Sequence, residues 1–396
     1  MLRGSSLSLA LLLACAPKNA DAPADTKHAA STPSTTTAAQ NPASDAKAEP
    51  VAAQPDAAKV EPAPPQRDAV LELAFVGDVI FGRYRASGYD PIPEGDHQVF
   101  DEIQPDLEAD VLIGNLETPI VRDLPADSPI GSRYRFGASK QHAEHLVKAG
   151  FDAMSLANNH WYDQRKEGTT QTPEVLTELG IVPLGVAHTE PPFFRVDTLE
   201  KNGWKLGLIA ITTRTNSPVR EGGPIVPYLQ TDEIPAKIVP LVEQAKADHD
   251  LVIVTVHWGE EYAPEPNYQQ VKSAHALIDA GAAMVIGHHP HVLQGIERYQ
   301  HGLIAYSLGN FLFENTNDIP RLTGVLHVRV RDDGRCIEGA AFHPAYIKRT
   351  PVQHPVPATG GMGKRVRDRV VTQAKAFDTK FTIEGEKLVL DGGACG

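Results

Sequence analysis

Three histidines stand within four positions, directly after an apolar run that is typical of a buried strand. The run 283–286 passes through a glycine into the stretch HHPH, which contains His288, His289 and His291. Neutral imidazole is the commonest metal ligand in proteins. In an extended segment His289 and His291 would point to the same side, and Pro290 would stiffen the backbone between them. The stretch therefore predicts a metal-binding strand end.

Polar side chains follow the other apolar runs of the chain in the same way. In an α/β sheet the carboxyl ends of the strands gather at one edge, where ligands bind, so these side chains are expected to lie together. Taken singly, each has an ordinary explanation as a turn residue, a helix cap or a satisfied histidine. Turn formation alone explains much less well why all of these polar residues follow an apolar run. The residues are Asp78, Asn115, Glu117, Asn159, His160, His257 and Asn310.

The residue types at these strand ends indicate which cofactor to expect. Imidazole and carboxylate ligands together suit zinc, manganese or iron. The absence of a nearby cysteine disfavours a thiolate zinc site. The predicted cofactor is therefore a divalent metal, Mn, Zn or Fe, as one or two ions.

The elements that must position these residues alternate along the chain. Short continuous apolar runs are typical of strands buried on both faces, and the segments between them have helical character. Their alternation predicts an α/β fold, and period-two alternation around residues 332–334 predicts a hairpin. The predicted strands are 70–76, 109–113, 153–156, 205–211, 251–256, 283–286 and 303–307, and the predicted helices are 139–149, 173–179, 234–248 (with a possible kink at Pro240) and 269–280.

The first 66 residues differ in composition from the rest. Residues 1–15 contain one arginine, a short apolar core and Leu-Leu-Ala-Cys15, which resembles a bacterial lipobox; a cleaved signal that happens to contain a cysteine is the alternative. Residues 16–66 are rich in Ala, Pro, Thr and Ser and predict a disordered linker. A domain over 67–350 and a C-terminal extension over 351–396, packed on it, complete the predicted organisation. The expected location is the cell envelope, with the membrane reached through a lipid anchor.

The charge and the cysteine count limit the function classes. The formal net charge of −13 and the absence of a Lys/Arg cluster argue against a nucleic-acid partner. An acidic chain also repels anionic polymers unless a metal or a basic patch reverses the local sign. If Cys15 is lipidated, Cys336 and Cys395 remain, and their spacing leaves a disulfide between them open.

Six motifs, in order and spacing, resemble the CapA family, which is named for capsule and poly-γ-glutamate synthesis. The resemblance covers roughly residues 71–346. It implies a fold similar to that of calcineurin-like metallophosphatases, a four-layer α/β/β/α sandwich with a metal centre at the strand ends. The motifs are Gly77-Asp78, Gly114-Asn-Leu-Glu117, Ala157-Asn-Asn-His160, His257-Trp-Gly259, Gly287-His-His-Pro-His-Val292 and Ser307-Leu-Gly-Asn-Phe311.

The resemblance also implies roles for individual residues. The metal ligands would be Asp78, Glu117 (in place of a bridging Asp), Asn159, His257, His289 and His291, with His288 as an alternative to His289. His160 would protonate a leaving group, and Asn115, His288 and Asn310 would contact substrate. Ile80 stands where the phosphatase pattern has a further histidine. One ion is therefore as compatible with the pattern as two.

Three functions are compatible with these residues. The first is assistance in the synthesis, export or anchoring of an anionic polymer such as poly-γ-glutamate, together with membrane synthase or export partners. The second is metal-dependent hydrolysis of a small ester, phosphoester or amide, or of poly-γ-glutamate itself. The third is a binding module whose metal only stabilises the fold. Fold alone does not decide between them.

Overall fold

A computed structural model describes residues 67–82, 92, 98–125, 134–186, 193–217, 226–314, 317–331 and 336–391. The predicted signal, the linker and the tip of the predicted hairpin lie outside these residues. In chain order the strands are β1 Val70–Val79, β2 Val111–Leu116, β3 Ala153–Ser155, β4 Val182–Leu184, β5 Asp197–Lys201, β6 Trp204–Thr212, β7 Leu251–His257, β8 Met284–His288, β9 Ile296–Tyr299, β10 Gly302–Ala305, β11 Asn310–Leu312, β12 Leu322–Arg331, β13 Cys336–Lys348, β14 His354–Pro357, β15 Thr382–Glu384 and β16 Lys387–Asp391.

The strands form two sheets. The first has the order β15-β16-β13-β12-β1-β2-β3-β4, with β11 also paired to β1 and β14 to β13. The second has the order β5-β6-β7-β8-β10-β9. In each sheet the strands that carry the predicted site residues are parallel: β1 with β2 and β11, and β7 with β8. This parallel arrangement brings their carboxyl ends to one edge.

The helices are α1 Gln104–Leu107, α2 Lys140–Ala149, α3 Arg165–Glu178, α4 Ile234–Lys237, α5 Val239–Asp248, α6 Tyr268–Asp279 and α7 Gly360–Ala374. Most of them cover the outer faces of the two sheets. One apolar core joins α2 and α3 to the first sheet, and another joins α4, α5 and α6 to the second. A third core lies between the sheets and receives side chains from both, as well as from α7. The predicted four-layer α/β/β/α sandwich is thereby confirmed.

β1 illustrates why the apolar runs indicate strands. Leu71, Leu73 and Phe75 point into the core between the sheets, whereas Ala74 and Val76 point into the core beneath α2 and α3. Because both faces of the strand are buried, neither face selects polar residues, and the run is continuously apolar.

Two of the predicted helices have different bounds in the structure. The helix predicted over 173–179 starts at Arg165, so Pro173 lies inside α3 rather than near its start. The helix predicted over 234–248 is divided into α4 and α5 at Ile238. Pro240 lies in the first turn of α5, where a missing N–H is tolerated. The predicted stop of α2 is confirmed, because Gly150 adopts a left-handed φ of 87°.

Two glycines directly before site residues allow a close approach of backbone segments. A Cβ atom on Gly77 would lie 2.0 Å from the carbonyl oxygen of Gly309, and one on Gly287 would lie 2.0 Å from that of Tyr306. No real Cβ contact is that short, so β1 and β8 can approach these carbonyls only without a side chain.

Gly287→Ala is expected to lower the free energy of unfolding by about 3 kcal/mol, because a backbone carbonyl cannot move aside as a flexible side chain can. Chemical denaturation measures the change. Gly361→Ala is the matched control, since nothing lies within 4 Å of the added methyl group there. Equal stabilities of the two variants would contradict the close approach at Gly287.

Candidate metal centre and its pocket

The polar side chains at the strand ends are register neighbours. Asp78 of β1 is paired with Asn115 of β2 and with Asn310 of β11. In the second sheet, His257 of β7 is paired with His288 of β8. All five residues are buried, so the edge at which both sheets end is a polar cluster enclosed by the protein.

Glu117, which follows β2, lies at the centre of this cluster. In the described part of the chain, two groups of buried side chains bring ligand atoms within 4.8 Å of one another, and both contain Glu117. The first group consists of Glu117, His257 and His289, and the second of Asp78, Glu117 and His291. A carboxylate has two oxygens and can contribute to both groups at once.

Asn159 completes the first group, and its neighbours hold it in place. The Nε2 atom of His257 lies 2.8 Å from Oδ1 of Asn159 and 3.0 Å from Oε1 of Glu117. On the other side of the ring, Asn115 Nδ2 lies 3.3 Å from Nδ1 of His257 and donates to Asp78 Oδ1 at 2.9 Å. Three potential ligand atoms therefore converge: His257 Nε2, Asn159 Oδ1 and Glu117 Oε1. Asn115 contacts a member of each group and so links the two groups.

Glu117 shows directly that the cluster suits a cation. Its side chain is fully buried, yet neither carboxylate oxygen has a hydrogen-bond partner of good geometry among the described residues, despite the short distance to His257. Burial raises the pKa of Glu117 well above its usual value, and the charge of Asp78 raises it further. A buried carboxylate without hydrogen bonds is costly unless a cation binds it. The residues present therefore fit a divalent metal ion.

The ring nitrogens of the histidines lead to the same conclusion. Burial lowers the pKa of His257 well below its usual value and that of His289 to about 3, so both rings are neutral and retain a lone pair. Burial opposes the charge on His291 too, but Glu117 and Asp78 outweigh it and raise its pKa to about 9. The two carboxylates thus stabilise positive charge at this point of the cluster.

Asn310 orients His291. The amide Nδ2 of Asn310 donates to the backbone carbonyls of His291 and Pro320, so its Oδ1 is an acceptor. His291 Nδ1, 2.8 Å away, therefore donates to it. The same nitrogen lies 3.2 Å from Oδ2 of Asp78, so both residues hold the ring through Nδ1, and in the neutral ring Nε2 retains the lone pair.

The backbone of the HHPH stretch differs from the prediction. β8 ends at His288, and the following His289 and His291 have φ values of 95° and 57°. The expectation of an extended segment is therefore wrong. Both histidines instead adopt a left-handed backbone conformation, which histidine tolerates better than most residues do. The two rings still meet, with centroids 5.9 Å apart.

His288 and Ile80 lie beside the two groups. His288 Nδ1 is 3.3 Å from Asp78 Oδ1, but it has no hydrogen-bond partner of good geometry in the described ranges. The groups themselves contain His289 and not His288. Ile80 is 1% exposed and packs with Phe136 and Phe313, so an apolar side chain fills the position at which the resemblance has a histidine.

His160 is held by a carboxylate that sequence reasoning missed. Its Nδ1 lies 2.7 Å from Oδ2 of Asp163, a fully buried side chain. The same oxygen accepts from the backbone N–H of Phe136 at 2.8 Å, and Oδ1 accepts from Arg135 at 2.9 Å. Because Asp163 acts only as an acceptor, His160 donates from Nδ1, and its Nε2 is the nitrogen available to a ligand.

These side chains open into a pocket of about 560 Å³, here called the mouth pocket. His160 and His291 line this pocket, so the pocket connects the buried polar cluster with the surface. Of the residues that the structure describes, one arginine and one glutamate line it, Arg135 and Glu261. The remaining lining residues are Tyr134, Phe136, Asn216, Tyr262 and Phe313.

Comparison with known proteins identifies similar chains. The family model described as "Bacterial capsule synthesis protein PGA_cap" matches residues 72–315. A "Capsule biosynthesis protein CapA" of Bacillus anthracis is 27% identical over 333 residues, 83% of this chain and 79% of that protein. A "PGA biosynthesis protein CapA" of Bacillus subtilis is 29% identical over 272 residues, 67% and 70% of the two chains. Among solved structures, the sulfate thiohydrolase SoxB of Thermus thermophilus has a TM-score of 0.40 and 13% identity, covering 81% of this chain and 63% of that chain.

Proposed function

Because the chain belongs to the PGA_cap family of bacterial capsule synthesis proteins, we propose that it assists the synthesis, export or anchoring of an anionic capsule polymer such as poly-γ-glutamate. One observation carries the proposal. The matched segment, residues 72–315, contains every member of the buried cluster, from Asp78 to Asn310. This supports the proposal that the polymer or its precursor is handled at the cluster and its pocket.

The cluster is proposed to hold a divalent ion, Mn, Zn or Fe. Glu117, Asn159, His257 and His289 would form one position, while Asp78, Glu117 and His291 would form a second. The first has more ligands and two neutral histidines, and it is the stronger of the two. When bound, the ion supplies a Lewis acid and a water of lowered pKa.

The ion would also solve an electrostatic problem. The chain has a formal net charge of −13, and a polyanion is repelled by such a protein at long range. A divalent cation at the base of the mouth pocket inverts the local sign, so that a carboxylate can approach. The fully buried Glu117 supports this proposal, because neither of its carboxylate oxygens has a hydrogen-bond partner among the described residues.

The protein is proposed to act at the cell envelope, anchored through a lipid on Cys15, and to work with membrane synthase or export partners. Within the described ranges, no helix is long and apolar enough to cross a bilayer. Mass spectrometry of the mature N-terminus is expected to find lipid on Cys15. A mature N-terminus beyond Cys15, or a retained signal, would rule the anchor out.

The function is tested in the bacterium that encodes the protein. Deletion of the gene is expected to remove cell-bound anionic polymer, and expression of the full chain is expected to restore it. The His257→Ala chain should not restore it, because the ion position loses a ligand. Restoration by this variant at equal protein level would contradict a metal-dependent role, and an unchanged polymer content after deletion would contradict the function itself.

A second candidate function, metal-dependent hydrolysis of a phosphoester or amide, is favoured by the geometry of His160. Asp163 holds this ring by Nδ1, which leaves Nε2 able to move a proton in the mouth pocket. Such an arrangement is typical of a general acid or base and has no evident use in a purely structural metal site. The experiment that separates the functions compares the metal content and turnover of His160→Ala with those of His257→Ala.

A further inference from the structure

Arg135 is the one arginine that lines the mouth pocket within the described residues, and the roles proposed so far do not use it. Its side chain is 15% exposed and lies against Asp163, which is fully buried. The contact joins one terminal nitrogen of the guanidinium to Asp163 Oδ1 at 2.9 Å. The Nε atom is buried and has no hydrogen-bond partner in the described part of the chain.

The guanidinium therefore has more donors than its protein neighbours use. Arginine has five N–H groups in a planar fork, and among the described residues only the bond to Asp163 occupies them. Asp163 is itself shared, because its other oxygen accepts from His160 and from the backbone of Phe136. A largely buried cation with unused donors is stabilised by an anion that reaches it from the pocket.

The orientation of the Arg135 guanidinium is fixed before a ligand binds. Asp163 fixes the guanidinium on one side, and little side-chain freedom remains to be lost when a ligand binds. The plane of the fork matches the two oxygens of a carboxylate, which a lysine cannot reproduce. Glu261 lines the same pocket and repels anions from its own side. Anionic groups of a ligand are thereby directed towards Arg135.

We propose that Arg135 forms a carboxylate-binding subsite in the mouth pocket. This subsite would bind one free carboxylate of an anionic chain, while a neighbouring group of the same chain faces the buried polar cluster. This inference rests on the proposed function, because it names the chemistry by which that site would recognise its polymer. Asp163 then holds both the residue that binds the carboxylate and His160, which handles the proton. Arg135 is a specificity residue in this account.

The test uses the full chain loaded with Zn²⁺ and two probes, glutarate and a γ-linked glutamate pentapeptide. The side-chain Nε–H signal of Arg135, assigned by its loss in Arg135→Gln, reports binding in NMR titrations, and calorimetry gives the dissociation constants. We expect the signal to shift with both probes. Arg135→Gln should weaken pentapeptide binding about 10- to 100-fold, as the loss of hydrogen bonds to a charged group does. Arg135→Lys should recover part of that loss.

Arg67→Gln is the matched control. Arg67 also pairs with a largely buried aspartate, Asp250, at 2.7 Å, but it precedes β1 at the end opposite Asp78. Its removal should leave both dissociation constants unchanged. A pentapeptide in which every α-carboxylate is a carboxamide should bind Arg135→Gln and the unmodified protein equally.

The outcomes separate this inference from the proposed function. If the Arg135 signal shifts with glutarate but the pentapeptide binds no more tightly than glutarate, the subsite stands and the polymer function fails. If the pentapeptide binds Arg135→Gln as tightly as the unmodified protein, the subsite fails and the polymer function stands. If neither probe shifts the Arg135 signal, the subsite is overturned.

Discussion

Glu117→Gln is expected to abolish tight metal binding and, at neutral pH, to stabilise the metal-free protein. Both groups of ligand atoms contain Glu117, so a single change removes a ligand from each. We expect the affinity to fall by more than about 100-fold, because the loss of an outer partner alone costs 10- to 100-fold. Elemental analysis after dialysis and metal titration by calorimetry measure the effect.

The stability change follows from the pKa of Glu117. Burial and the charge of Asp78 raise it, so the contribution of this group to folding is fully present below its unfolded value near 4.5 and is lost as the pH rises through the higher folded value. At pH 7 the metal-free protein therefore carries the free-energy cost of this buried acidic group, which glutamine removes. The advantage of the variant should be about 1 kcal/mol or more, and it should shrink as the pH falls towards 4.5.

Glu297→Gln provides the control for this prediction. Glu297 is also buried, but its oxygens are bonded to His275 and to the hydroxyl of Tyr306. Its replacement should lower the stability of the metal-free protein and leave metal binding unchanged. If Glu117→Gln also destabilises the metal-free protein, or keeps its metal, then Glu117 is a structural residue and not the shared ligand.

His160→Ala and His257→Ala are expected to fail in different ways. If the protein is a hydrolase, His160→Ala should keep its metal and lose 10²- to 10⁴-fold in turnover, which is typical of the loss of a general acid or base. His257→Ala should lose the metal and the turnover together, because Nε2 of His257 lies at the convergence of Asn159 and Glu117. Metal content and kcat are measured on the same preparations, with phosphoester and γ-glutamyl amide substrates and added Mn²⁺ or Zn²⁺.

Asp163→Asn provides a second test of the role of His160 as a general acid or base. Asparagine can present Oδ1 or Nδ2 to the ring, so the preferred tautomer of His160 is lost although its position is kept. We expect this variant to keep its metal and to show a smaller loss of turnover than His160→Ala. If His160→Ala strips the metal as thoroughly as His257→Ala does, then His160 is a ligand. If neither variant, nor His291→Ala, changes the metal content, the cluster is not a metal site.

The gathering of the site residues could be predicted from the sequence because it depends on a local rule. A strand buried on both faces is recognisable by its apolar run, and parallel strands must end at the same edge. Asp78 and Asn115 are register neighbours for that reason, whereas Asn310 begins β11 and is paired with Asp78 at the start of that strand. The rule does not say which strands share a sheet, and the two-sheet arrangement was expected only from the resemblance.

The residues that were missed do not follow strands. Asp163 reaches His160 through a turn three residues later, and a polar residue at that spacing is also common on an exposed surface. Arg135 is 28 residues from its partner Asp163 in the chain, so only the tertiary structure brings the pair together. The left-handed backbone of His289 and His291 was missed because Pro290 between them equally suits an extended segment.

The left-handed conformation of His289 and His291 has a consequence for how the site can change in evolution. Apart from glycine, the residues that adopt a positive φ most readily are asparagine, aspartate and histidine. Each of these three has an oxygen or nitrogen that can coordinate a metal ion. Substitutions that the backbone accepts therefore mostly exchange one side chain capable of coordination for another. Bulky apolar replacements would instead lower the stability of the folded protein. At these two positions the main-chain conformation limits the accepted side chains, so drift exchanges one side chain capable of coordination for another more easily than it removes that capability.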